Sequence, residues 1–326
     1  MEYRRLGNSG LRVSVLGLGT NSFGSRSDRE ASIRVIHQAL DLGINFIDTA
    51  NTYNGTESER IIGEALAGRR HEAVIATKAG LVRGQGPNEK GSSRYHIQRE
   101  IEGSLKRLNT DHIDLYQIHT FDPHTPLEET LRTLDDLVKA GKVRYIGASN
   151  YAAWELMKAL GISDRSGLAR YISIQPSYSL ADRTPEQELV PLCLDQGIGV
   201  IPYFPLAGGL LTGKYAVGSQ PPAGSRLAKE ARFAGWLTDA ARLQLGAQVA
   251  RMANERGTTP TALSLAWLMQ RPAVATIIVG ASRPEQVAEN FQSTMLTLDP
   301  DTLTALDEAS DPYRYGPPFA SFRLPR

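Results

Sequence analysis

Short apolar segments alternate with amphipathic segments along nearly the whole chain, and this order restricts the fold more than any other feature of the sequence. Eight such units follow a predicted hairpin, in which residues 1–6 and 11–14 flank the turn Gly7-Asn8-Ser9-Gly10. Strands that alternate with helices predict a parallel sheet covered by helices. Eight units in a chain of 326 residues fit a single closed (β/α)8 barrel.

The competing arrangement is an open, doubly wound sheet, which usually carries a glycine-rich fingerprint after its first strand. The corresponding turn, Gly17-Leu18-Gly19-Thr20-Asn21-Ser22, lacks the third glycine, so the pattern favours one barrel domain over residues 1–326. The predicted barrel strands are residues 15–19, 45–48, 73–78, 113–119, 143–149, 171–175, 199–204 and 275–279. The predicted helices are residues 28–42 with Asp28 as the cap, 57–66, 94–108, 126–140, 152–160, 184–196, 238–256, 261–270, 283–292 and 300–309.

Two polar or glycine-rich segments interrupt this alternation. Residues 83–93 and 216–236 follow the third and seventh barrel strands, so they form long loops on the face where barrels place active sites. They are either lids or tolerated surface insertions. After the last helix, the tail 311–326 is rich in proline and aromatic residues. We expect it to pack over the barrel or on a neighbouring subunit, and a homo-oligomer is left open.

Composition excludes several classes of protein. Lys and Arg total 36 and Asp and Glu total 35, a net charge of +1, which argues against a nucleic-acid partner. An apolar run of 18 residues is absent from the sequence, so no membrane association is expected. The single cysteine, Cys193, allows no internal disulfide and reads as a small buried hydrophobe. The N-terminus lacks the apolar core of a signal peptide, which predicts a cytoplasmic protein.

Polar side chains end most of the predicted barrel strands. In a barrel, the carboxyl ends of all strands meet at one mouth, so these side chains are expected to converge. Along the chain they are Asp48, Lys78, His119, Ser149 with Asn150, and Gln175, and Tyr53 lies in the loop after the second strand. His119 and His124 lack a convincing third ligand, so no metal site is predicted.

The four ionisable side chains of this set are Asp48, Tyr53, Lys78 and His119, and together they suit proton transfer to an oxygen atom. A nearby ammonium favours the phenolate form of a tyrosine and lowers its pKa, so Lys78 would adjust Tyr53 towards the working pH. Asp48 would hold Lys78 charged and fix its direction, and His119 could align a carbonyl oxygen. Such a site protonates an oxygen on which negative charge develops, and alcohol oxidation is the same path reversed.

The order Asp48, Tyr53, Lys78, His119 resembles the catalytic tetrad of the aldo-keto reductases, in the potassium-channel β-subunit-like and bacterial branch. Two longer segments resemble that family as well, Gly43-Ile44-Asn45-Phe46-Ile47-Asp48-Thr49-Ala50 and Gly147-Ala148-Ser149-Asn150. The resemblance covers about nine-tenths of the chain. It implies a (β/α)8 barrel, an extended nicotinamide cofactor and reversible reduction of aldehydes or ketones. It makes Tyr53 the general acid, with Lys78 and Asp48 lowering its pKa and His119 orienting the substrate carbonyl.

The same resemblance implies the cofactor-binding residues. Ser149, Asn150 and Gln175 match residues that hold the carboxamide, and Tyr203 matches the aromatic residue that stacks on the nicotinamide ring. Phe204 replaces the serine of many relatives. The remaining assignments around the cofactor are Gly19, Thr20, Asp48, Pro205, Leu206, Gly208, Lys214 and Arg226, and, for the adenosine end, Gly280, Ser282, Arg283, Gln286, Glu289 and Asn290.

Ser282 and Arg283 open a predicted helix, where backbone N–H groups and an added cation suit a 2′-phosphate. The sequence therefore predicts NADP(H) rather than NAD(H). Residues Gly208 to Lys214 also fit the first part of a nucleotide-triphosphate loop, but Tyr215 stands where a serine or threonine should meet magnesium, which argues against an ATPase.

The substrate is expected to be a small carbonyl compound, with Phe23, Tyr53, His119 and Phe121 as walls of its pocket. Their aromatic character suits an apolar or aromatic carbonyl. The resemblance leaves a second function open, a cofactor-binding subunit that senses redox state or regulates a partner with slow or no turnover.

Overall fold

The computed structural model describes residues 1–215, 235 and 239–316. Its ten strands are β1 (Tyr3–Arg5), β2 (Arg12–Ser14), β3 (Leu16–Gly19), β4 (Phe46–Asp48), β5 (Val74–Ala79), β6 (Ile113–Ile118), β7 (Val143–Ser149), β8 (Tyr171–Gln175), β9 (Gly199–Val200) and β10 (Ile277–Gly280). The α-helices in these ranges are α1 (Arg29–Asp41), α2 (Glu57–Ala65), α3 (Arg94–Arg107), α4 (Leu127–Lys139), α5 (Ala153–Ser166), α6 (Leu189–Gln196), α7 (Ala240–Glu255), α8 (Pro260–Met269), α9 (Pro284–Phe291) and α10 (Pro300–Ser310).

Eight parallel strands form the predicted barrel. They lie side by side in the order β10-β3-β4-β5-β6-β7-β8-β9. Backbone hydrogen bonds between β9 and the segment that leads into β10 complete the circle: Val200 N–H donates to the Ala273 carbonyl over 2.8 Å, and Ala275 N–H to the Val200 carbonyl over 2.9 Å. Ile278 N–H adds a third bond to the Pro202 carbonyl, at 2.9 Å. The (β/α)8 architecture is therefore confirmed.

The hairpin β1–β2 closes the amino-terminal end of the barrel. Leu6 and Val13 are fully buried and pack with Phe46, Leu115 and other apolar side chains of the strands in one interior cluster. At the turn, Gly7 has φ +58°, and a Cβ atom there would lie 2.4 Å from a backbone oxygen of β8. Only glycine combines this backbone conformation with so close an approach.

The helices cover the outside of the sheet through apolar faces at helical spacing. In α4, Leu127, Leu131 and Leu134 are buried three and four residues apart. The predicted cap of α1 is confirmed, because Asp28 accepts a hydrogen bond of 2.8 Å from the Ala31 N–H. The described residues contain no helix that is both long and apolar enough to cross a membrane.

Three predicted elements were wrong in extent, and proline explains two of them. The helix predicted at 152–160 continues to Ser166 and ends at Gly167, which has φ +62°. The helix predicted at 184–196 is a short 3-10 turn, Thr184–Glu186, followed by α6. Pro191 has no N–H and is tolerated only in the first turn of a helix, where the N–H groups have no intrahelical partner. The helix therefore begins at Leu189, two residues before this proline. The strand predicted at 199–204 is regular only over Gly199–Val200, because Pro202 cannot donate to a strand ladder.

The first long loop, residues 83–93, follows β5 as predicted. Loop 83–93 is held by Glu89, whose carboxylate accepts the Gly86 N–H over 3.0 Å, and by Asp122, which accepts the Ser92 N–H over 2.7 Å. Of the second loop, residues 216–234 and 236 lie outside the described residues, and so do Arg226 and the tail beyond Gly316.

Candidate active site

The carboxyl ends of β4 and β5 bring a buried ion pair to the mouth of the barrel. The Lys78 ammonium donates to Asp48 Oδ1 at 2.6 Å and to the Thr49 carbonyl at 2.7 Å. Lys78 is fully buried and Asp48 is 2% exposed. The phenolic oxygen of Tyr53 lies 3.4 Å from the Lys78 nitrogen. Three of the four predicted catalytic side chains are therefore within hydrogen-bond distance of one another through the lysine.

The second oxygen of Asp48 is held by two side-chain amides. Gln175 Nε2 donates to Oδ2 at 2.8 Å and Gln117 Nε2 at 3.3 Å. Gln175 was predicted as a cofactor residue, whereas Gln117 was not singled out, because it lies one pleat inside β6 rather than at a strand end. A polar residue on the inward face of an apolar strand was the available signal.

The loop that carries Tyr53 is kept in a strained shape. Asn54 and Thr56 have φ of +48° and +87°, values that side-chain-bearing residues rarely adopt. The Asn54 amide stabilises this turn by donating to the Phe23 carbonyl at 2.7 Å. On the other side, Asn51 Nδ2 donates to Glu100 on α3 at 2.6 Å. The position of the phenol is therefore fixed from both flanks.

His119 completes the set. Its ring lies edge-on to the Tyr53 ring, with 5.9 Å between the centroids. Burial, together with the Lys78 charge, holds the pKa of His119 well below its usual value, so the imidazole is neutral at pH 7. Its Nδ1 atom is buried and has no hydrogen-bond partner among the described residues.

The charge of the lysine is secured by its neighbours. Burial disfavours the ammonium, but Asp48 and Tyr53 outweigh it through charge and hydrogen bonds, and the pKa of Lys78 is raised above its ordinary value. Lys78 therefore carries its positive charge beside the phenol at neutral pH.

The residues predicted for the nicotinamide carboxamide form a connected cluster beside this pair. Asn150 Nδ2 donates to the His119 carbonyl at 2.9 Å and to Ser149 Oγ at 3.0 Å. The Tyr203 hydroxyl donates to Asn150 Oδ1 at 2.9 Å, and Ser149 Oγ donates to the Gln175 carbonyl at 2.9 Å. Hydroxyl and amide groups are thus gathered next to the tetrad, and they can both donate to and accept from a carboxamide.

Comparison with known proteins agrees with this geometry. The pattern of the Aldo/keto reductase family matches residues 15–311. The chain belongs to the aldo/keto reductase family. It is 41% identical to an uncharacterized oxidoreductase, YrpG, of Bacillus subtilis, over 94% of this chain and 95% of that protein.

Two further relatives carry more specific names. A probable voltage-gated potassium channel subunit beta of Oryza sativa is 37% identical over 90% of this chain and 91% of that protein. An L-glyceraldehyde 3-phosphate reductase of Escherichia coli (strain K12) is 35% identical over 94% of this chain and 92% of that protein.

In this aldo/keto reductase, the residues predicted for the phosphates lie on two separate elements. Lys214 follows β9 at an exposed position, and partial desolvation of its ammonium lowers its pKa. It has no carboxylate within 4.0 Å among the described residues. Arg283 stands at the start of α9 with a side chain that is 59% exposed and 3.8 Å from Glu285. Two cations with little or no acidic neutralisation fit a phosphate-bearing cofactor.

The remaining cofactor candidates lie at or after the carboxyl ends of β3, β9 and β10 in the chain. Gly19 and Gly280 are paired across β3 and β10, and a Cβ at Gly280 would meet little but open space. Thr20 donates to the Asp48 carbonyl at 2.8 Å, and Gln286 Oε1 accepts from both the N–H and the hydroxyl of Ser282, at 2.8 and 3.0 Å. Phe204, Pro205, Leu206 and Gly208 form the turn after β9, with Phe204 and Gly208 at positive φ, and Glu289 and Asn290 lie on α9.

Of the aromatic residues predicted to line the substrate pocket, Phe121 lies at the mouth of the barrel, whereas Phe23 lies in the interior. Phe121 lies two residues after His119 at the mouth, with its ring centroid 5.2 Å from that of Tyr151 and 5.9 Å from that of Trp154. Phe23 is fully buried, and its carbonyl serves the Tyr53 loop. Tyr151 and Trp154 were not predicted, because the sequence places them in the first turn after β7 without indicating that they meet Phe121.

Proposed function

We propose that this protein reduces aldehydes or ketones to alcohols with NADPH, and that Tyr53 is the general acid. The observation that carries the proposal is the fully buried ammonium of Lys78, 3.4 Å from the phenolic oxygen of Tyr53 and 2.6 Å from Asp48. Family membership supports carbonyl reduction in general. The specific cofactor and the acid are the parts that we add.

The proton is delivered by side chains that the barrel already holds in place. The neutral His119 donates an N–H to the substrate carbonyl and aligns it beside Tyr53. As negative charge grows on that oxygen, the Tyr53 hydroxyl transfers its proton. The adjacent Lys78 ammonium favours the phenolate that this transfer leaves behind. Asp48 keeps the ammonium charged and directed at the phenol.

The nicotinamide cofactor, when bound, supplies the hydride. Ser149, Asn150 and Gln175 would hold its carboxamide, and Tyr203 would support its ring. Lys214 would neutralise the pyrophosphate, and Arg283 the 2′-phosphate that distinguishes NADPH from NADH. We place the reaction in the cytoplasm.

The direct test replaces the tyrosine hydroxyl. Tyr53→Phe should lower kcat for a simple aldehyde such as 4-nitrobenzaldehyde by about 10²–10⁴-fold, because a positioned general acid contributes an effect of that size. The affinity for NADPH, measured by fluorescence titration, should stay within about twofold, since the aromatic ring is kept.

The matched control is Tyr95→Phe. Tyr95 is 61% exposed at the start of α3, and its variant should turn over at the wild-type rate. If Tyr53→Phe retained the wild-type kcat, Tyr53 would not be the acid.

A regulatory role is tested by the same assay. Relatives from Oryza sativa and Arabidopsis thaliana are named probable voltage-gated potassium channel subunits beta. A protein that binds NADPH but completes only one turnover with each of many aldehydes, ketones, sugars and quinones would favour a redox-sensing subunit. Sustained turnover with any of them supports the reductase.

A further inference from the structure

Gln117 contacts the Asp48–Lys78 pair without reaching the mouth of the barrel. It lies on β6, is fully buried, and directs Nε2 at Asp48 Oδ2 over 3.3 Å. We infer that Gln117 is a positioning residue: together with Gln175 it fixes the Asp48 carboxylate so that Oδ1 stays against Lys78. The catalytic meaning of this inference rests on the proposed function, whereas the contact itself does not.

The carboxylate needs donors on both of its oxygens. Asp48 is almost completely buried, and a buried charge is tolerated only when it is paired and hydrogen-bonded. Lys78 takes Oδ1, at 2.6 Å, and the two glutamine amides take Oδ2. With both oxygens held, the carboxylate cannot rotate about its Cβ–Cγ bond, and the direction of the ammonium is fixed in turn.

The amide is the side chain that suits this contact best. A lysine or arginine at position 117 would compete with Lys78 for the carboxylate, and an ionised acid would repel it. The neutral Nε2–H group holds Oδ2 and adds no charge. The orientation of the amide follows from its partner, because Oε1 facing Asp48 would place two acceptors together.

The amide of Gln117 destabilises the interior in a way that an apolar side chain at this position would not. With Nε2 turned to Asp48, its Oε1 is buried and has no hydrogen-bond partner among the described residues. Leu115, two residues earlier on the same inward face, fills its place in the interior cluster with apolar atoms. The neighbouring strand makes room for the longer amide, since a Cβ at Gly147 would lie 3.3 Å from Gln117 Cγ.

The two amides have different duties. Gln175 is also assigned to the nicotinamide carboxamide, and any turn of its side chain towards that group weakens its bond to Asp48. Gln117 has no such second role, because it lies below the mouth on β6. It therefore keeps one donor on Oδ2 in every stage of the reaction.

The experiment uses two substitutions of similar size, Gln117→Leu and Gln117→Glu, with Leu115→Val as the matched control on the same strand face. Gln117→Leu should lower kcat about tenfold, the effect of one hydrogen bond to a charged group, at every pH. NADPH affinity should stay within about twofold. Leu115→Val should lose stability and keep the wild-type kcat.

Gln117→Glu distinguishes positioning from packing. Burial and the Asp48 charge raise the pKa of the new carboxyl above that of an unfolded glutamate. While protonated it donates to Asp48, and once ionised it repels it. Relative to wild type, kcat should therefore be nearly restored near pH 5 and fall as the pH rises. The free energy of unfolding of the cofactor-free variant should fall with rising pH in the same range.

Three outcomes would overturn the inference. They are a wild-type kcat in Gln117→Leu, parallel pH profiles for the Leu and Glu variants, and an unfolding free energy of Gln117→Glu that does not fall with pH relative to Gln117→Leu. A Glu variant that folds at pH 5 and unfolds at pH 7 counts as support. If the wild-type protein shows no turnover, the proposed function fails, while the unfolding measurements still decide whether Gln117 holds Asp48.

Discussion

At the scale of the residue, the most informative side chain is a lysine with no exposed surface. Its ammonium is stabilised by Asp48, by a backbone carbonyl and by the Tyr53 phenol. Polar residues at strand ends predict this meeting, because parallel strands in a barrel direct their carboxyl ends to one place. The position of Lys78 could therefore be predicted from the order of strands and helices in the sequence.

Arg283 carries the prediction of cofactor choice. Arg283→Ala should weaken NADPH by about 10- to 100-fold, since a hydrogen bond to a charged group contributes roughly 1.5–3 kcal/mol. NADH, which lacks the 2′-phosphate, should be weakened far less and serves as the internal control. Dissociation constants from fluorescence titration provide the measurement. Equal weakening of both cofactors would show that Arg283 does not contact a 2′-phosphate.

The sequence predicted Asp48, Lys78 and His119 at one mouth because each ends an apolar strand. It did not predict Gln117 or the contact of Phe121 with Trp154. Those depend on which side chains meet across neighbouring strands and loops, and the register between distant segments is not written in local spacing. Functional side chains at the ends of strands can be predicted from a sequence, whereas contacts between side chains of different strands or loops cannot.

At the scale of the element, close approach between strands is as important as strand propensity. Gly147 on β7 is paired with Ser173 on β8, and a Cβ at Gly147 would lie 2.5 Å from Ser173 Oγ. The two predicted elements that were too long, around Pro191 and Pro202, also depend on the backbone, because a missing N–H shortens a helix or a strand regardless of its apolar pattern.

Gly147→Ala tests this packing. The new methyl group should lower the free energy of unfolding by about 1–3 kcal/mol through overpacking. Ser173→Ala, combined with it, should recover a large part of the loss, since it removes the atom in closest contact. Urea titration of Gly147→Ala, of Ser173→Ala and of the double variant gives the free energies of unfolding. A double variant no more stable than Gly147→Ala would mean that the strain lies elsewhere.

At the scale of the whole molecule, buried histidines connect protonation to stability. Burial, together with the Lys78 charge, lowers the pKa of His119, and burial is the main cause of the lowered pKa of His96. Below the ordinary pKa of about 6.5, the unfolded chain takes up protons that the folded chain refuses. Folding stability is therefore lost as the pH falls.

For His119, the free energy of unfolding should fall by up to about 1.4 kcal/mol for each pH unit below 6.5, the limit that a single proton sets. His119→Gln should remove that part of the pH dependence, which chemical unfolding at a series of pH values would measure. The matched control is His71→Gln at an exposed position, which should retain the pH dependence that the buried His119 causes. An identical slope in wild type and His119→Gln would contradict a buried neutral imidazole.

The hairpin that seals the amino-terminal end of the barrel has a consequence for access to the site. Leu6 and Val13 are fully buried there and pack against apolar side chains that fill the interior below Lys78. Under the function proposed above, cofactor and substrate would therefore both have to approach Tyr53 from the carboxyl-terminal face of the barrel.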